Sequence, residues 1–369
     1  MYVNYGGNWT AFFVTGDVVP CPPELAARTY VFHGTAGYDG QFYRYVAHAP
    51  WFRADWLPYF DSARLRYSRI LIPALAWTFA AGMQTRIDAA YIAVILGWVF
   101  LGVYWLGRLA VEQRSHPACG LAFLLLPATL VSIDRMTVDV ALAALCIAFV
   151  RSAKRQSPGG LYAVLLMAAL VRESGLILVA AQCAYDLAAK RWRQAFAYAT
   201  AAVPALGWYA YVWTRAAMAA AADPRIHTPI VPRWLFQDPG IGIVIKLFHP
   251  DHYAGGAWPN WALQFADTLA LCAFLALVAS GIWSLRRRPW NVEQWAISGF
   301  VLLALMTSTP TFWGNVYTYA RPYSPLIFLA ALGPWRTSAR WVYAPVLLIA
   351  FRTALQLAPQ TVRILHAFL

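Results

Sequence analysis

The chain has 369 residues, of which 60% are hydrophobic and only 12% charged, with a formal net charge of +13. An average soluble domain carries roughly 25% charged residues, so water is not the main solvent of this chain. The basic residues cluster in short loops between apolar runs, which argues for orientation in a membrane and against a nucleic-acid partner.

Aromatic residues make up 16% of the chain, and many flank the ends of apolar runs, where amphipathic rings favour the headgroup layer. Cys21, Cys119, Cys146, Cys183 and Cys272 are scattered without CxxC spacing. The last four lie in apolar runs and are expected to be small core residues. The first ten residues hold no basic segment followed by an apolar one, so neither a signal peptide nor a first span is visible there. Asn8-Trp9-Thr10 fits the glycosylation sequon, a pattern so short that chance accounts for it.

Residues 1–68 are polar, aromatic and proline-rich, with too little continuous apolar sequence to cross a bilayer, and are expected to form a water-facing head. Residues 69–369 then form the membrane domain. Its apolar runs fall at about 69–82, 89–107, 118–131, 137–150, 160–171, 174–189, 194–214, 262–284, 293–309, 322–334 and 341–357. Loops with Arg108 and Arg114, with Arg151, Lys154 and Arg155, with Lys190, Arg191 and Arg193, with Arg286 to Arg288, and with Arg336 and Arg340 alternate along the chain. The positive-inside rule makes these cytoplasmic, giving about ten crossings from residue 89 onward. The run 69–82 is left as a re-entrant or interfacial helix. The head, the tips 132–136 and 172–173, the loop 215–261 and the segment 310–321 fall on the outer side. Of the 16 acidic residues, all but Glu112, Asp186 and Glu293 lie on that side, so chemistry is expected there. Within the long loop, 241–248 is apolar but too short to span, either an interfacial lid segment or a packed piece of loop.

Five stretches carry candidate chemistry. In Gly37-Tyr38-Asp39-Gly40-Gln41-Phe42-Tyr43 one carboxylate is bracketed by glycines, which permit close approach of a ligand, and by aromatics suited to sugar faces or a prenyl chain. The bland alternative for Asp39 is a turn residue bonding its own backbone. Arg64, Arg66 and Arg69 precede the first apolar run, where guanidinium forks match lipid phosphate or simply anchor at headgroups. Asp134 or Thr137 is expected to cap the next helix. Asp139 lies inside the apolar run and needs a cation, a polar cavity or a metal. Adjacent Arg172 and Glu173 interrupt two apolar runs, and each needs its own partner, with helix-dipole compensation as the simpler reading of Glu173. Arg321 sits at the mouth of a later run, as a phosphate ligand or as a structural partner of Asp39, Asp139 or Glu173. His249-Pro250-Asp251-His252 lacks a third ligand at helical spacing and reads as loop. There is no Walker loop, no dinucleotide fingerprint and no serine nucleophile elbow.

These outer-face segments resemble the integral-membrane glycosyltransferases of the GT-C superfamily, in particular bacterial relatives with a YDGQFY-like first outer loop. The specific residues are Tyr38 to Tyr43, Arg64 to Arg69, Asp134 to Asp139, Arg172-Glu173 and Arg321. The resemblance implies an all-α, polytopic transmembrane bundle with extracytoplasmic loops and an interfacial helix. It also implies the bacterial inner membrane, with the site facing the periplasm. A sugar would pass from a polyprenyl-phosphate-linked donor to an envelope glycan, lipid or protein acceptor. Asp39 matches the family's catalytic base. Arg64, Arg66, Arg172 and Arg321 would hold donor phosphate, and Tyr38, Gln41, Tyr43, Asp134, Asp139 and Glu173 would support substrate. A divalent metal, Mg or Mn, between Asp134, Asp139 and phosphate is compatible with the sequence but not required by it. One departure is that the family has a span before its first outer loop. Either the reading frame starts upstream of Met1 or the chain works without that span. The competing readings are a transporter or lipid flippase, which would line a route through both leaflets, and a non-catalytic envelope assembly factor.

Overall fold

The computed structural model describes residues 2–222, 238–253, 257–286, 288–332 and 343–368. Among them the expected all-α architecture is observed. The strands amount to two residues each, Thr15–Gly16 and Val31–Phe32, paired in parallel near the N-terminus. Over their described residues, all eleven apolar runs fall largely on helices; residues 333–334 and 341–342 of the last two lie outside the described residues. The expected loop residues 223–237 and 254–256, together with Arg287, Arg336 and Arg340, lie outside the described residues.

The head contributes α1 (Asp39–His48) and α2 (Ala63–Ser68), and α3 (Leu71–Phe79) follows directly. A long helix, α4 (Ile87–Glu112), is followed by a 3-10 stretch, Pro117–Leu125, and α5 (Pro127–Arg135). The centre is built from α6 (Asp139–Lys154), α7 (Pro158–Val171), α8 (Leu176–Ala188), α9 (Trp192–Ala199) and α10 (Val203–Ala222). The last third holds α11 (Ile241–Phe248), α12 (Ala257–Ser284), α13 (Val292–Met306), α14 (Ser324–Leu332), α15 (Ala344–Leu355) and α16 (Ala358–Phe368).

Among the described residues two helices are long and apolar enough to cross a membrane, α4 and the Asn260–Ser284 part of α12, and they suggest a membrane protein. Pro117–Leu125 with α5 makes a third if that pair, bent by 61°, is one span. The bend has a local cause. Pro127 offers no N–H, and it drives Leu126 into extended backbone at φ −68° and ψ 136°. On α4 one face is buried through Tyr91, Ile95, Trp98 and Leu106, while Leu96, Phe100 and Tyr104 are exposed. Among the described residues α6, α7, α8, α13 and α15 have 16, 14, 13, 15 and 12 residues, short of the ~20 needed to span untilted. The ten expected crossings are therefore not all of spanning length. α3, with nine residues, is too short to cross, as expected of the run 69–82.

Two ends of the bundle differ in chemistry. α6 begins at Asp139 and ends in Arg151 and Lys154, α7 returns to Arg172, and α8 departs again toward Lys190 and Arg191. At the basic end the three carboxylates singled out as inner meet basic partners: Glu112 with Arg151 at 2.9 Å, Glu293 with Lys154 at 2.9 Å, and Asp186 with Arg191 at 2.6 Å.

Within the head, every residue of Gly40–His48 is buried, packed against α3, α4 and neighbouring helices. Arg44 fixes α1 there, with Nε and Nη2 donating to both oxygens of Asp88 at 2.7 and 2.9 Å, while His48 Nε2 lies 2.9 Å from Asp88 Oδ1. One expectation needs correction, that of the cysteines. Among the four expected in the core, Cys146 is buried, Cys119 and Cys183 are half-buried, and Cys272 is exposed, because it lies on the outward face of α12.

Candidate active site

Asp39 is the first residue of α1, and its two neighbouring glycines are there for protein packing. Gly37 has φ +77°, and a Cβ on it would collide with Gln41 and Gly16. A Cβ on Gly40 would come closer to the Arg135 carbonyl oxygen than real Cβ contacts allow. The expectation that these glycines admit a ligand is thus corrected: they admit backbone. Gln41 belongs to the same construction. Its Nε2 donates to the Ala36 carbonyl at 2.7 Å and its Oε1 accepts from Gly16 N at 3.1 Å, so it clasps the loop instead of facing substrate.

The Asp39 carboxylate is held between two arginines from distant parts of the chain. Arg66 Nη2 donates to Oδ1 at 2.8 Å, and Arg321 Nη2 donates to Oδ2 at 2.7 Å. Burial alone would raise this carboxyl, but Arg66 and Arg321 overcome it and hold the group well below the usual carboxylate range. Asp39 is ionised at rest and weakly basic. Its side chain is 20% exposed, against 2% for Asp139, so Asp39 is the more accessible of the two carboxylates.

A more deeply buried set of ionic groups adjoins it. Asp139 pairs with Arg172, and Arg321 Nε lies 3.2 Å from Asp139 Oδ2 without hydrogen-bond alignment. The Tyr43 hydroxyl accepts from Arg69 Nη1 at 2.6 Å and Arg66 Nη1 at 3.3 Å. Arg69 Nε donates to Glu173 at 3.1 Å, and Arg66 Nε donates to Asp61 at 3.0 Å. Four arginines thus face Asp39, Asp61, Asp139 and Glu173, which neutralises charge that burial would otherwise make very costly. Gly175, whose Cβ would strike the Ala168 carbonyl, permits the tight reversal that turns Arg172 toward Asp139 and Glu173 toward Arg69.

Arg321 is not saturated by these contacts. Its Nη1 is buried and has no hydrogen-bond partner among the described residues. The guanidinium lies over the Tyr38 ring at 5.2 Å, and the Tyr38 hydroxyl donates to the Tyr317 carbonyl at 3.1 Å. Burial pushes the Tyr38 phenol up to about 12, so it remains a neutral donor.

Of the residues expected in the site, Asp39, Tyr43, Arg66, Asp139, Arg172, Glu173 and Arg321 converge, with Tyr38 beside them. Arg64 does not join through an ion pair. It lies two residues from Arg66 on α2, a rotation of roughly 200° on a helix, and has no carboxylate partner among the described residues. Arg69, three residues beyond Arg66, takes the place expected for it. Asp134 is also set apart, 2.8 Å from Arg135 Nε and accepting from Tyr317 and Gln360. Neither Asp134 nor Thr137 caps α6. Ser132 Oγ does so, accepting from Val140 N at 3.2 Å, while Thr137 pairs with Ser132. With Asp139 facing guanidinium groups and Asp134 bonded elsewhere, the two do not form the metal pair considered from sequence. Among the described residues no group of three or more His, Cys, Asp or Glu could hold a metal. No family model, curated protein or solved structure matches the chain.

Proposed function

We propose that this chain is a membrane glycosyltransferase that moves a sugar from a polyprenyl-phosphate donor to an acceptor hydroxyl on the extracytoplasmic face, with Asp39 as base. The observation that carries the reading is a partly open carboxylate gripped by two arginine forks, one of which keeps a buried donor without a partner. That arrangement suits a phosphate ester. Donor phosphate oxygens would compete with Asp39 for Arg66 and Arg321, and Arg321 Nη1 is ready to receive one. Each guanidinium drawn toward phosphate leaves Asp39 more basic, so donor binding would switch the base on. The acceptor O–H proton then passes to Asp39 as its oxygen bonds to the anomeric carbon. The bond from that carbon to the phosphate oxygen breaks, and the electron pair leaves on polyprenyl phosphate. A positioned base contributes roughly 10²–10⁴-fold, and arginines at the departing phosphate stabilise its growing charge.

The same reading makes the chain a polytopic bundle of GT-C type, with residues 1–68 as first outer loop and 69–369 as the membrane domain. It places the protein in a bacterial inner membrane with Asp39 toward the periplasm. The buried charge sits in two separate clusters about 24 Å apart along α6, not along one continuous polar path, which disfavours a transport route through both leaflets. The matching of four arginines with four carboxylates favours one rival, a purely structural ion-pair network in an assembly factor. Reconstituting the full chain with polyprenyl-phosphate sugars and envelope extract separates them. Release of polyprenyl phosphate coupled to sugar transfer is expected. Sugar-lipid movement across the bilayer without transfer, or no turnover at all, would count against the proposal.

A further inference from the structure

At the basic end, a cavity of about 550 Å³ opens between α6, α7, α8, α9 and α13. It is separate from the candidate active site. Asp139 begins α6 and Lys154 ends it, and those 16 residues rise about 24 Å. Two nearly fully buried residues on its wall, Gln182 and Asp186, are 4% and 1% exposed. Gln182 Nε2 donates to Asp186 Oδ2 at 2.8 Å. The other two oxygens, Gln182 Oε1 and Asp186 Oδ1, are buried and receive no hydrogen bond among the described residues. Arg191 Nη2 comes within 2.6 Å of Asp186 Oδ1 but out of hydrogen-bond alignment. Buried acceptors of this kind are rare because an unmade bond is costly, and a polar cavity beside them points to a ligand rich in donors.

The charge of Asp186 favours a cationic donor, and a primary ammonium supplies three N–H groups with that charge. A quaternary ammonium supplies none. At the rim, the partly exposed Arg191 and Lys154, paired at rest with Asp186 and Glu293, carry charges that a phosphate would share. Adjoining the lining residues in sequence, Leu187, Trp192 and Phe196 expose large apolar side chains, which suit acyl chains.

We propose that this cavity takes the headgroup of an aminophospholipid, with the ammonium on Asp186 and Gln182 and the phosphate at Arg191 and Lys154. The site is independent of the transfer reaction, and its test has no transfer readout. The full chain, purified and incorporated into nanodiscs of mixed phosphatidylethanolamine, phosphatidylcholine and phosphatidylglycerol, is released into native mass spectrometry. Retention of phosphatidylethanolamine at least ten-fold above the other two is expected, falling to their level in Asp186→Asn and Gln182→Leu. Arg191→Gln, which leaves both buried acceptors in place, should weaken retention without abolishing the preference, and it serves if the other variants fail to fold. Equal retention of all three lipids would overturn the proposal, as would an unchanged preference in folded Asp186→Asn or Gln182→Leu, or undiminished retention of phosphatidylethanolamine in Arg191→Gln. Displacement of the lipid by soluble phosphoethanolamine at equal concentration would overturn the lipid source.

Discussion

Arg321→Lys tests the two-carboxylate grip directly. The native guanidinium donates to Asp39 at 2.7 Å through Nη2 and places Nε 3.2 Å from Asp139. Its side chain is only 8% exposed, so solvent does little to screen it. Lysine keeps the charge but offers one compact ammonium, which cannot reproduce a fork spanning two carboxylates. Losing one charge-assisted hydrogen bond costs about 1.5–3 kcal/mol. If the same contact passes to donor phosphate, that loss is roughly ten- to hundred-fold in donor affinity. Steady-state transfer with varied polyprenyl-phosphate sugar should show KM raised by that factor, and thermal unfolding of the purified protein should show a lower midpoint. Wild-type values for KM, kcat and the midpoint together would refute the grip.

Tyr43→Phe removes the hydroxyl that accepts from Arg66 and Arg69. It should cost about 1–3 kcal/mol, read as a lower unfolding midpoint, and an unchanged midpoint would contradict the bonding assigned to it. Gly40→Ala sets a methyl against the Arg135 carbonyl and should destabilise by about 1–3 kcal/mol or more, whereas wild-type stability would show that α1 moves freely there. Because Arg66 and Arg321 depress the Asp39 carboxyl, its contribution to stability is present above the unfolded value of about 3.9 and is lost only as pH falls through the lower folded value. In the free enzyme kcat/KM should therefore show no acid limb from Asp39 above about pH 4. A limb near pH 6 that disappears in a folded Asp39 variant would contradict the resting ion pairs.

Much of the helical content was legible because lipid-compatible helices need long apolar stretches, and over their described residues the eleven runs fall largely on helices. Boundaries shifted where local chemistry intervened: the run 118–131 divides at Pro127, and the run 194–214 divides at the 3-10 turn Thr200–Ala202. α16 was missed because Pro359, Gln360, Thr361, Arg363 and His366 interrupt its apolar residues. Crossing number was less legible, since an apolar run shows what a segment tolerates, not how far its helix extends, and among the described residues only two or three spans are long and apolar enough to cross. In the site, Arg172 and Glu173 were legible as needing separate partners, because adjacent helical side chains diverge. Which partners they would find was not legible, since Arg69 lies 104 positions from Glu173 and Arg321 lies 282 from Asp39. Arg69 had a signal, its three-residue spacing from Arg66, which puts both on one helical face while Arg64 turns away. Gln41 and the bracketing glycines misled, because backbone packing and ligand approach demand the same small or adaptable residues.

The account stands most directly on sugar transfer by Asp39→Asn. The substitution keeps the shape and an acceptor oxygen, while Arg66 retains Asp61 and Arg321 retains Asp139, so a folded, membrane-inserted protein is expected. Measured beside wild type in the same reconstituted membranes, its transfer rate should fall by at least about 100-fold. A folded Asp39→Asn protein that transfers sugar at the wild-type rate would contradict the central claim.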